Sequence, residues 1–283
     1  MKVQLIECPR DAMQGWPAII PTAVKVNYIN SLLKCGFDTV DFGSFVSAKA
    51  IPQMADTPDV IEKLEFSGTK TKLLAIVANL RGAEQAAHWQ HIHFLGFPFS
   101  ISPTFQFRNT NSSMEESIER VATIQDACMK TGKQLVVYLS MAFGNPYGDR
   151  YNEAEVVDWA LKMHSMGIEI ISLADTVGVA TAEQVGRITE AVVKALPGTT
   201  VGVHLHSTAE NWREKLEAAY TAGCRRFDGA LKGIGGCPMA GNALVGNMDT
   251  EKMYSFFKEM KVETGIDERE LSHCSRIAAG LFV

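Results

Sequence analysis

Eight short apolar segments alternate with helical patterns along the 283 residues, and this alternation predicts a (β/α)8 barrel, the TIM-barrel fold. Several of the segments are apolar nearly throughout, as expected for parallel strands that are buried on both faces. No G-x-G-x-x-G motif follows an early segment, so a doubly wound open sheet is the less favoured alternative. The predicted strands lie near residues 3–7, 38–42, 72–78, 93–100, 134–140, 168–174, 200–206 and 225–231.

Local signals mark where the intervening helices begin and end. Glycine just past a helix accepts the left-handed conformation that ends it. Such glycines precede four of the predicted strands: Gly36, Gly132, Gly167 and Gly223. Capping-box patterns at residues 113–116 and 181–184 mark two helix starts. Since no linker-like stretch divides the chain, we expect one domain over residues 1–283, with a helical extension from about residue 266.

The composition is that of an ordinary globular protein and disfavours several functions. A net charge of −5 and a pI near 5.8 argue against a nucleic-acid partner. The sequence contains no run of about 18 apolar residues, so no membrane span is expected. The first residues pass directly into a strand pattern, so no signal peptide is expected. The six cysteines are scattered with no C-x-x-C pair, which predicts reduced thiols in a cytoplasmic compartment.

Polar residues stand at the ends of four predicted strands. In a barrel of this type, chemistry is carried where the strands end and the following loops begin. The polar residues at those ends are Glu7, Arg10, Asp11, Asp41, Asp175, His204 and His206. They are therefore the first candidates for a functional site.

The spacing of His204 and His206 predicts a metal site. On a strand the two imidazoles lie on one face, about 6.5–7 Å apart along the chain, and Asp11 and Asn247 stand where they can join them. This mixed nitrogen and oxygen set suits Mg²⁺ or Mn²⁺, with Zn²⁺ as an alternative. The structural alternatives are a helix or loop cap for Asp11 and a helix N-terminal cap for Asn247.

A second His-x-His pair serves as an internal comparison. His91 and His93 precede the fourth predicted strand, at the face of the barrel opposite the expected site. We interpret this second pair as structural.

Arg10, Asp41 and Asp175 are candidate catalytic residues. The fixed positive charge of Arg10 would stabilise an enolate or alkoxide as it forms. The alternative for Arg10 is an ion pair with Glu7, Asp41 or Asp175. Each of the two aspartates is a candidate general base, a partner that holds a histidine or arginine, or a balancing charge. For Asp175 we favour the holding role.

A glycine-rich run over residues 233–247 surrounds one thiol, Cys237. Glycines let a backbone fold closely over a ligand, so the run predicts a catalytic lid that carries Cys237, and its alternative is an ordinary connection. Because it follows the last predicted strand, it stands near the two histidines and Asp11. This position favours the lid.

Several motifs resemble those of the 3-hydroxy-3-methylglutaryl-coenzyme A (HMG-CoA) lyase family. They keep their order and cover nearly the whole chain: residues 6–14, 41–47, 52–54, 145–147, 172–178, 204–206 and 235–238. The Gly-Gly-Cys-Pro loop combined with Pro-Arg-Asp is specific for this branch of the metal-dependent barrel lyases. The related 2-isopropylmalate synthases and 4-hydroxy-2-oxovalerate aldolases share the H-x-H motif but lack this cysteine loop.

The resemblance implies a divalent-metal-dependent cleavage of HMG-CoA to acetyl-CoA and acetoacetate, as in leucine degradation. It implies an acyl-CoA thioester as substrate and a homodimer as the assembly. Arg10 would stabilise the enolate of the acetyl product, Cys237 would take part in proton transfer, and His204 or a nearby carboxylate would be the base. The implied metal ligands are Asp11, His204, His206 and Asn247.

The chain departs from the family pattern around the expected substrate contacts. Asp41 stands where the family usually has Glu, Ser207 follows the H-x-H motif where Asp is usual, and the stretch from Cys237 to Asn247 is one residue longer than is typical. The alternatives are therefore a relative that acts on another 3-hydroxyacyl-CoA, an aldolase for a 2-oxo acid, and a non-catalytic binding barrel. Residues 102–111 and 143–147 are candidate coenzyme A contacts.

Overall fold

Eight parallel strands close into a barrel in a computed structural model that describes residues 2–236 and 245–283. Each strand pairs with the next along the chain, and the last pairs with the first, so the predicted (β/α)8 fold is confirmed. The barrel strands are β1 Gln4–Glu7, β2 Thr39–Ser44, β3 Lys72–Ile76, β4 Ile92–Ser100, β5 Gln134–Ser140, β6 Ile170–Ala174, β7 Thr200–His204 and β9 Arg226–Gly229. Two short strands, β8 His206–Ser207 and β10 Gly246–Asn247, form a separate antiparallel pair.

Helices follow the strands around the barrel. The described helices are α1 Pro9–Gln14, α2 Thr22–Leu32, α3 Thr57–Ile61, α4 Leu80–Ala87, α5 Pro103–Thr110, α6 Met114–Thr131, α7 Glu153–Ser165, α8 Ala182–Ala195, α9 Trp212–Thr221, α10 Thr250–Glu259 and α11 Glu268–Leu281. Short 3-10 turns occupy Pro52–Met54 and Leu231–Gly233. Both predicted capping boxes are present, at the starts of α6 and α8. Helix α11 forms the expected C-terminal extension, and among the described helices none is long and apolar enough to cross a membrane.

The core has two layers because strand side chains alternate between the two faces of the sheet. Leu73, Leu135 and Val137 belong to the large cluster that joins the strands to the helices. Their neighbours along the strands face the barrel interior, where a smaller apolar cluster forms. That cluster contains Leu74, Phe94, Val136, Tyr138 and Ile170.

Strand β7 ends earlier than predicted, and this difference shapes the site. The sequence predicted one strand through both histidines, but β7 stops at His204. The backbone of His206 pairs instead with Asn247 of β10. The chain therefore leaves the barrel between the two histidines because a later segment provides a new hydrogen-bonding edge.

Candidate active site

Helix α1 brings Asp11 to the carboxyl-terminal mouth of the barrel. Pro9 opens this helix directly after β1, a position that does not need the missing N–H group. Asp11 lies inside the helix and Cys8 occupies the cap, so Asp11 is not the helix cap that was its alternative. Its Oδ1 accepts hydrogen bonds from Arg10 Nη1 at 2.8 Å and from Gln14 Nε2 at 2.7 Å. Burial opposes its charge, but Arg10 and the two histidines lower the pKa of Asp11 to about 2.

The rings of His204 and His206 meet edge to face, with their centroids 5.4 Å apart and an angle of 66° between their planes. Nε2 of His204 faces Asp11 Oδ2 at 3.9 Å, and its Nδ1 faces Asp228 Oδ2 at 3.4 Å. Burial opposes a charge on His204, but Asp228 and Asp11 raise its pKa above the ordinary value. Burial and the neighbouring His204 lower the pKa of His206 to about 4, so His206 is neutral at pH 7.

Asn247 reaches the histidines through the β8–β10 pair. Its Nδ2 donates to Asp11 Oδ2 at 2.8 Å and to the carbonyl of Ile234 at 2.9 Å. The cap of the following helix is Asp249, whose side chain accepts from the Glu251 N–H, so Asn247 does not have the capping role that was its alternative. The amide is thereby turned so that its oxygen has no hydrogen-bond partner among the described residues.

The donor set fits a divalent cation. One ligand atom from each of Asp11, His204 and His206 lies within 4.8 Å of the other two. His206 Nε2 and Asn247 Oδ1 are buried without a hydrogen-bond partner among the described residues. Buried acceptors without a donor are costly, and a cation would satisfy both of them. Carboxylate, amide oxygen and neutral imidazole together match a hard or borderline ion.

A second cluster beside the first shares His204 but does not fit a metal. It consists of Cys8, His204 and Asp228. Burial raises the pKa of the Cys8 thiol well above its usual range, so forming the thiolate that a metal binds is costly here. Asp228 is already paired with Arg226 Nη1 at 2.7 Å. The Asp11 cluster is therefore the better candidate for a cation site.

Arg10 lies between two carboxylates. Asp41 accepts from Arg10 Nε at 3.1 Å and from Nη2 at 2.5 Å, while Asp11 accepts from Nη1. Burial raises the pKa of Asp41, although the guanidinium opposes this. Of the three roles considered for Asp41, this geometry favours two: holding Arg10 and balancing its charge. The ion pairs considered with Glu7 and Asp175 are not formed.

Asp175 is held by a lysine that the sequence analysis missed. Lys215 Nζ donates to Asp175 Oδ2 and to the His206 carbonyl, both at 2.9 Å, and both side chains are 1% exposed. Asp175 thus fixes Lys215, which in turn holds the backbone carbonyl of His206. This arrangement favours the holding role for Asp175. A signal was present, because Lys215 stands on the same helical face as Trp212, Leu216 and Ala219.

Cys237 lies outside the described residues, but the start of its glycine run is described. Gly235 has φ +98°, and a Cβ atom there would lie 2.6 Å from Asn247 Nδ2 and 2.8 Å from the carbonyl oxygen of Asp11. Only glycine allows the backbone to pass this close to the two residues. The run therefore begins directly against the Asp11 cluster.

The comparison pair lies elsewhere. His93 stands at the amino-terminal end of β4, where its Nδ1 is 2.9 Å from the His91 carbonyl, and the His91 ring stacks on Phe66. Both histidines are exposed. They lie at the opposite mouth of the barrel, as the sequence predicted.

The fold and the site define a class: a (β/α)8 barrel with a candidate divalent-metal centre beside a buried arginine. The sequence matches the HMGL-like family over residues 2–277. It is 34% identical over 274 residues to the mitochondrial hydroxymethylglutaryl-CoA lyase of Mus musculus, covering 95% of this chain and 82% of the mouse protein. The chain belongs to the HMGL-like family and is an enzyme of the lyase class, as its motifs predicted.

Bacterial relatives agree with this assignment. A 3-hydroxy-3-isohexenylglutaryl-CoA/hydroxymethylglutaryl-CoA lyase from Pseudomonas aeruginosa is 31% identical, covering 95% of this chain and 89% of the relative. An HMG-CoA lyase from Acinetobacter baumannii, solved in complex with coenzyme A and 3-methylmalate, superposes with a TM-score of 0.92 at 32% identity. That match covers 99% of this chain and 91% of the relative.

Proposed function

We propose that this protein is a divalent-metal-dependent carbon–carbon lyase that cleaves HMG-CoA to acetyl-CoA and acetoacetate. The observation that carries the proposal is the convergence of Asp11, His204, His206 and Asn247 at one mouth of the barrel. Two of their acceptor atoms are buried without a donor among the described residues. A divalent cation held by these four residues would lower the pKa of the substrate hydroxyl group. The carboxylate and amide oxygens favour Mg²⁺ or Mn²⁺ over Zn²⁺.

Proton transfer starts and completes the cleavage. The substrate hydroxyl loses its proton, the carbon–carbon bond breaks to leave the ketone of acetoacetate, and the acetyl-CoA enolate gains a proton at carbon. His204 Nε2 faces Asp11. Its single lone pair would either bind the cation or accept the hydroxyl proton, and a nearby carboxylate is the base if His204 binds the cation. We assign protonation of the enolate to Cys237.

Arg10 is positioned to stabilise the enolate. A guanidinium carries five N–H groups, and the bonds to Asp41 and Asp11 use three of them. Two donors remain for a substrate oxygen as far as the described part of the chain shows. Asp41 binds the Nε and Nη2 groups of Arg10 and so fixes the guanidinium in place before the enolate forms. Such prior orientation is the condition for efficient electrostatic stabilisation.

The two segments predicted to bind coenzyme A contact one another. Phe105 of α5 packs on Tyr147, with ring centroids 6.3 Å apart, and the Arg108 guanidinium lies 4.7 Å above the Tyr147 ring. Asp149, two residues beyond the second segment, accepts hydrogen bonds from Ser102 and Thr104 of the first. We assign the coenzyme A phosphates to the exposed Arg108 beside this surface.

We extend the proposal to the assembly and the compartment. By family we propose a homodimer. The five described cysteines are free thiols and buried, which supports a reducing, cytoplasmic location.

Acetoacetate release from HMG-CoA tests the function. We expect turnover with Mn²⁺ or Mg²⁺, loss of activity on EDTA treatment with recovery on adding metal, and loss in Cys237→Ser. His91→Ala is the matched control and should keep full activity. Turnover that persists without metal would contradict the proposal.

A related substrate is the second candidate. The Pseudomonas aeruginosa relative is named for a longer acyl chain as well as for HMG-CoA. In this chain Asp41 replaces the usual Glu, which shortens the side chain behind Arg10 by one methylene. A higher kcat/KM for another 3-hydroxyacyl-CoA would change the substrate and leave the metal and Arg10 roles in place.

A further inference from the structure

Asp228 is a buried carboxylate that the proposed reaction does not use. It lies on β9, in register with His204 on β7. Its side chain is fully buried, and its Oδ2 lies 3.4 Å from His204 Nδ1. Neither atom makes a hydrogen bond within the described part of the chain, although the two lie at ion-pair distance from each other. A hydrogen on His204 Nδ1 would satisfy both buried atoms at once.

Arg226 holds the other oxygen of Asp228. Its Nη1 donates to Asp228 Oδ1 at 2.7 Å, and the arginine is itself 4% exposed. Gly202 provides the space for this side chain, since a Cβ at Gly202 would lie only 3.1–3.3 Å from three Arg226 atoms. The barrel interior thus accommodates an ion pair just below the metal cluster.

We propose that Arg226 and Asp228 set the tautomer and orientation of His204. Nδ1 of His204 carries the hydrogen and donates it to Asp228, and Nε2 presents a lone pair toward Asp11. The proposal concerns the metal site proposed above. Its expected effect on metal affinity rests on the proposed function, whereas the tautomer itself does not. Arg226 and Asp228 are positioning residues, since neither touches the reacting atoms.

The chemistry of the pair excludes the opposite tautomer. An ionised carboxylate has only acceptor atoms, and Arg226 Nη1 pairs directly with Asp228 Oδ1 at 2.7 Å. With hydrogen on Nε2, the Nδ1 lone pair would face a carboxylate oxygen and both buried atoms would lack a donor, which is costly. Metal-binding histidines commonly donate their second N–H to such a carboxylate, which fixes the ring.

The first test reads the tautomer in the metal-free protein. Proton–nitrogen correlation spectra, recorded at a pH where the ring is neutral and assigned with His204→Gln, distinguish hydrogen on Nδ1 from hydrogen on Nε2. We expect His204 to carry it on Nδ1. Hydrogen on Nε2 would overturn the proposal, and this measurement does not require any variant of Asp228 to fold.

The second test changes the pair. In Asp228→Asn, Arg226 still takes the oxygen, so the amide NH₂ faces Nδ1 and forces the hydrogen onto Nε2. We expect Mn²⁺ affinity, measured by calorimetry, to fall about 10–100-fold. Adding Arg226→Met frees the amide to turn its oxygen toward His204, so the double variant should regain much of the loss and the original tautomer.

Controls separate this proposal from the proposed function. Asp38→Asn alters a carboxylate at the opposite mouth, next to Gln4, and should leave Mn²⁺ affinity and the His204 tautomer unchanged. Wild-type affinity in Asp228→Asn, or weak binding with an unchanged tautomer, would overturn the positioning role. Absence of Mn²⁺ binding in the wild-type protein would contradict the proposed function while the spectra still decide the tautomer.

Discussion

His206 shows how its surroundings set the chemistry of a single residue. Burial and His204 lower its pKa to about 4, so its imidazole is neutral over the physiological range. Its Nε2 has no hydrogen-bond partner in the part of the chain that the structure describes, and a neutral ring with such a nitrogen is the form that binds a metal. The exposed His91, in the same sequence pattern, stacks on Phe66 instead.

At this scale the first prediction compares the two histidine pairs. His206→Ala should weaken Mn²⁺ binding by at least tenfold because it removes a ligand, whereas His91→Ala should bind as the wild type does. Calorimetric titration of both variants measures this. Equal effects would mean that the metal cluster is assigned to the wrong pair.

The second prediction concerns the buried ion pair below His206. Lys215→Met leaves Asp175 buried without its partner and should lower the free energy of unfolding by about 3–5 kcal/mol. Urea unfolding measures the loss, and Lys215→Met combined with Asp175→Asn should recover a large part of it. Lys194→Met, which breaks the exposed pair with Glu190, is the control and should leave stability nearly unchanged. A loss of the same size in this control would contradict the assignment.

At the scale of secondary structure, short elements place the proposed metal ligands. Helix α1 presents Asp11, and the β8–β10 pair brings Asn247 back to His206. Gly235 then carries the chain closely over both Asp11 and Asn247. None of these elements exceeds six residues, so the site depends on tertiary contacts that hold short segments in place.

The third prediction tests this close approach. Gly235→Ala should lower Mn²⁺ affinity, because the new Cβ displaces Asn247 or Asp11 and because φ is positive. Gly132→Ala also has positive φ but a Cβ in open space, so it should reduce stability by about 1 kcal/mol and leave metal binding intact. Parallel calorimetric and urea measurements separate the two effects. Wild-type metal affinity in Gly235→Ala would contradict the packing argument.

Across the whole molecule, Glu7 joins the first strand to the segments around the glycine run. Its fully buried carboxyl accepts from the Leu231 N–H at 2.9 Å and from the Thr250 hydroxyl at 2.6 Å. Burial raises the pKa of Glu7 from 4.5 to about 8. The native state therefore retains a proton that the unfolded chain has already lost at neutral pH.

The fourth prediction follows from this linkage. Because the folded pKa is the higher one, the stability due to Glu7 is complete below about pH 4.5 and falls as the pH rises toward about 8. Glu7→Gln removes this titration, so its free energy of unfolding should decline less than that of the wild type across this range. Urea unfolding at several pH values measures the difference, with the exposed Glu190→Gln as control. Parallel curves for Glu7→Gln and the wild type would contradict it.

Much of the barrel was predictable because its signals are local. Apolar segments, glycines such as Gly132, and capping boxes act within a few residues of themselves, and the structure forms strands and helices at those places. The end of β7 was not predictable, because it depends on pairing with Asn247, 41 positions after His206. Among the site residues, His204 and His206 could be predicted from their spacing in the sequence. The roles of Lys215 and Arg226 could not, because they depend on ion-pair partners that only the fold brings close.

The sequence by itself determined the order of strands and helices, the polar residues at the strand ends and the family resemblance carried by their motifs. These properties depend on residue type and on spacing along the chain. Only the tertiary structure decided which buried charges pair: Arg10 with Asp41, Lys215 with Asp175, and Arg226 with Asp228. Closure of the barrel brings together groups as far apart in sequence as Glu7 and Thr250. Buried charges must find partners at whatever distance the fold allows, so geometry selects the pairs.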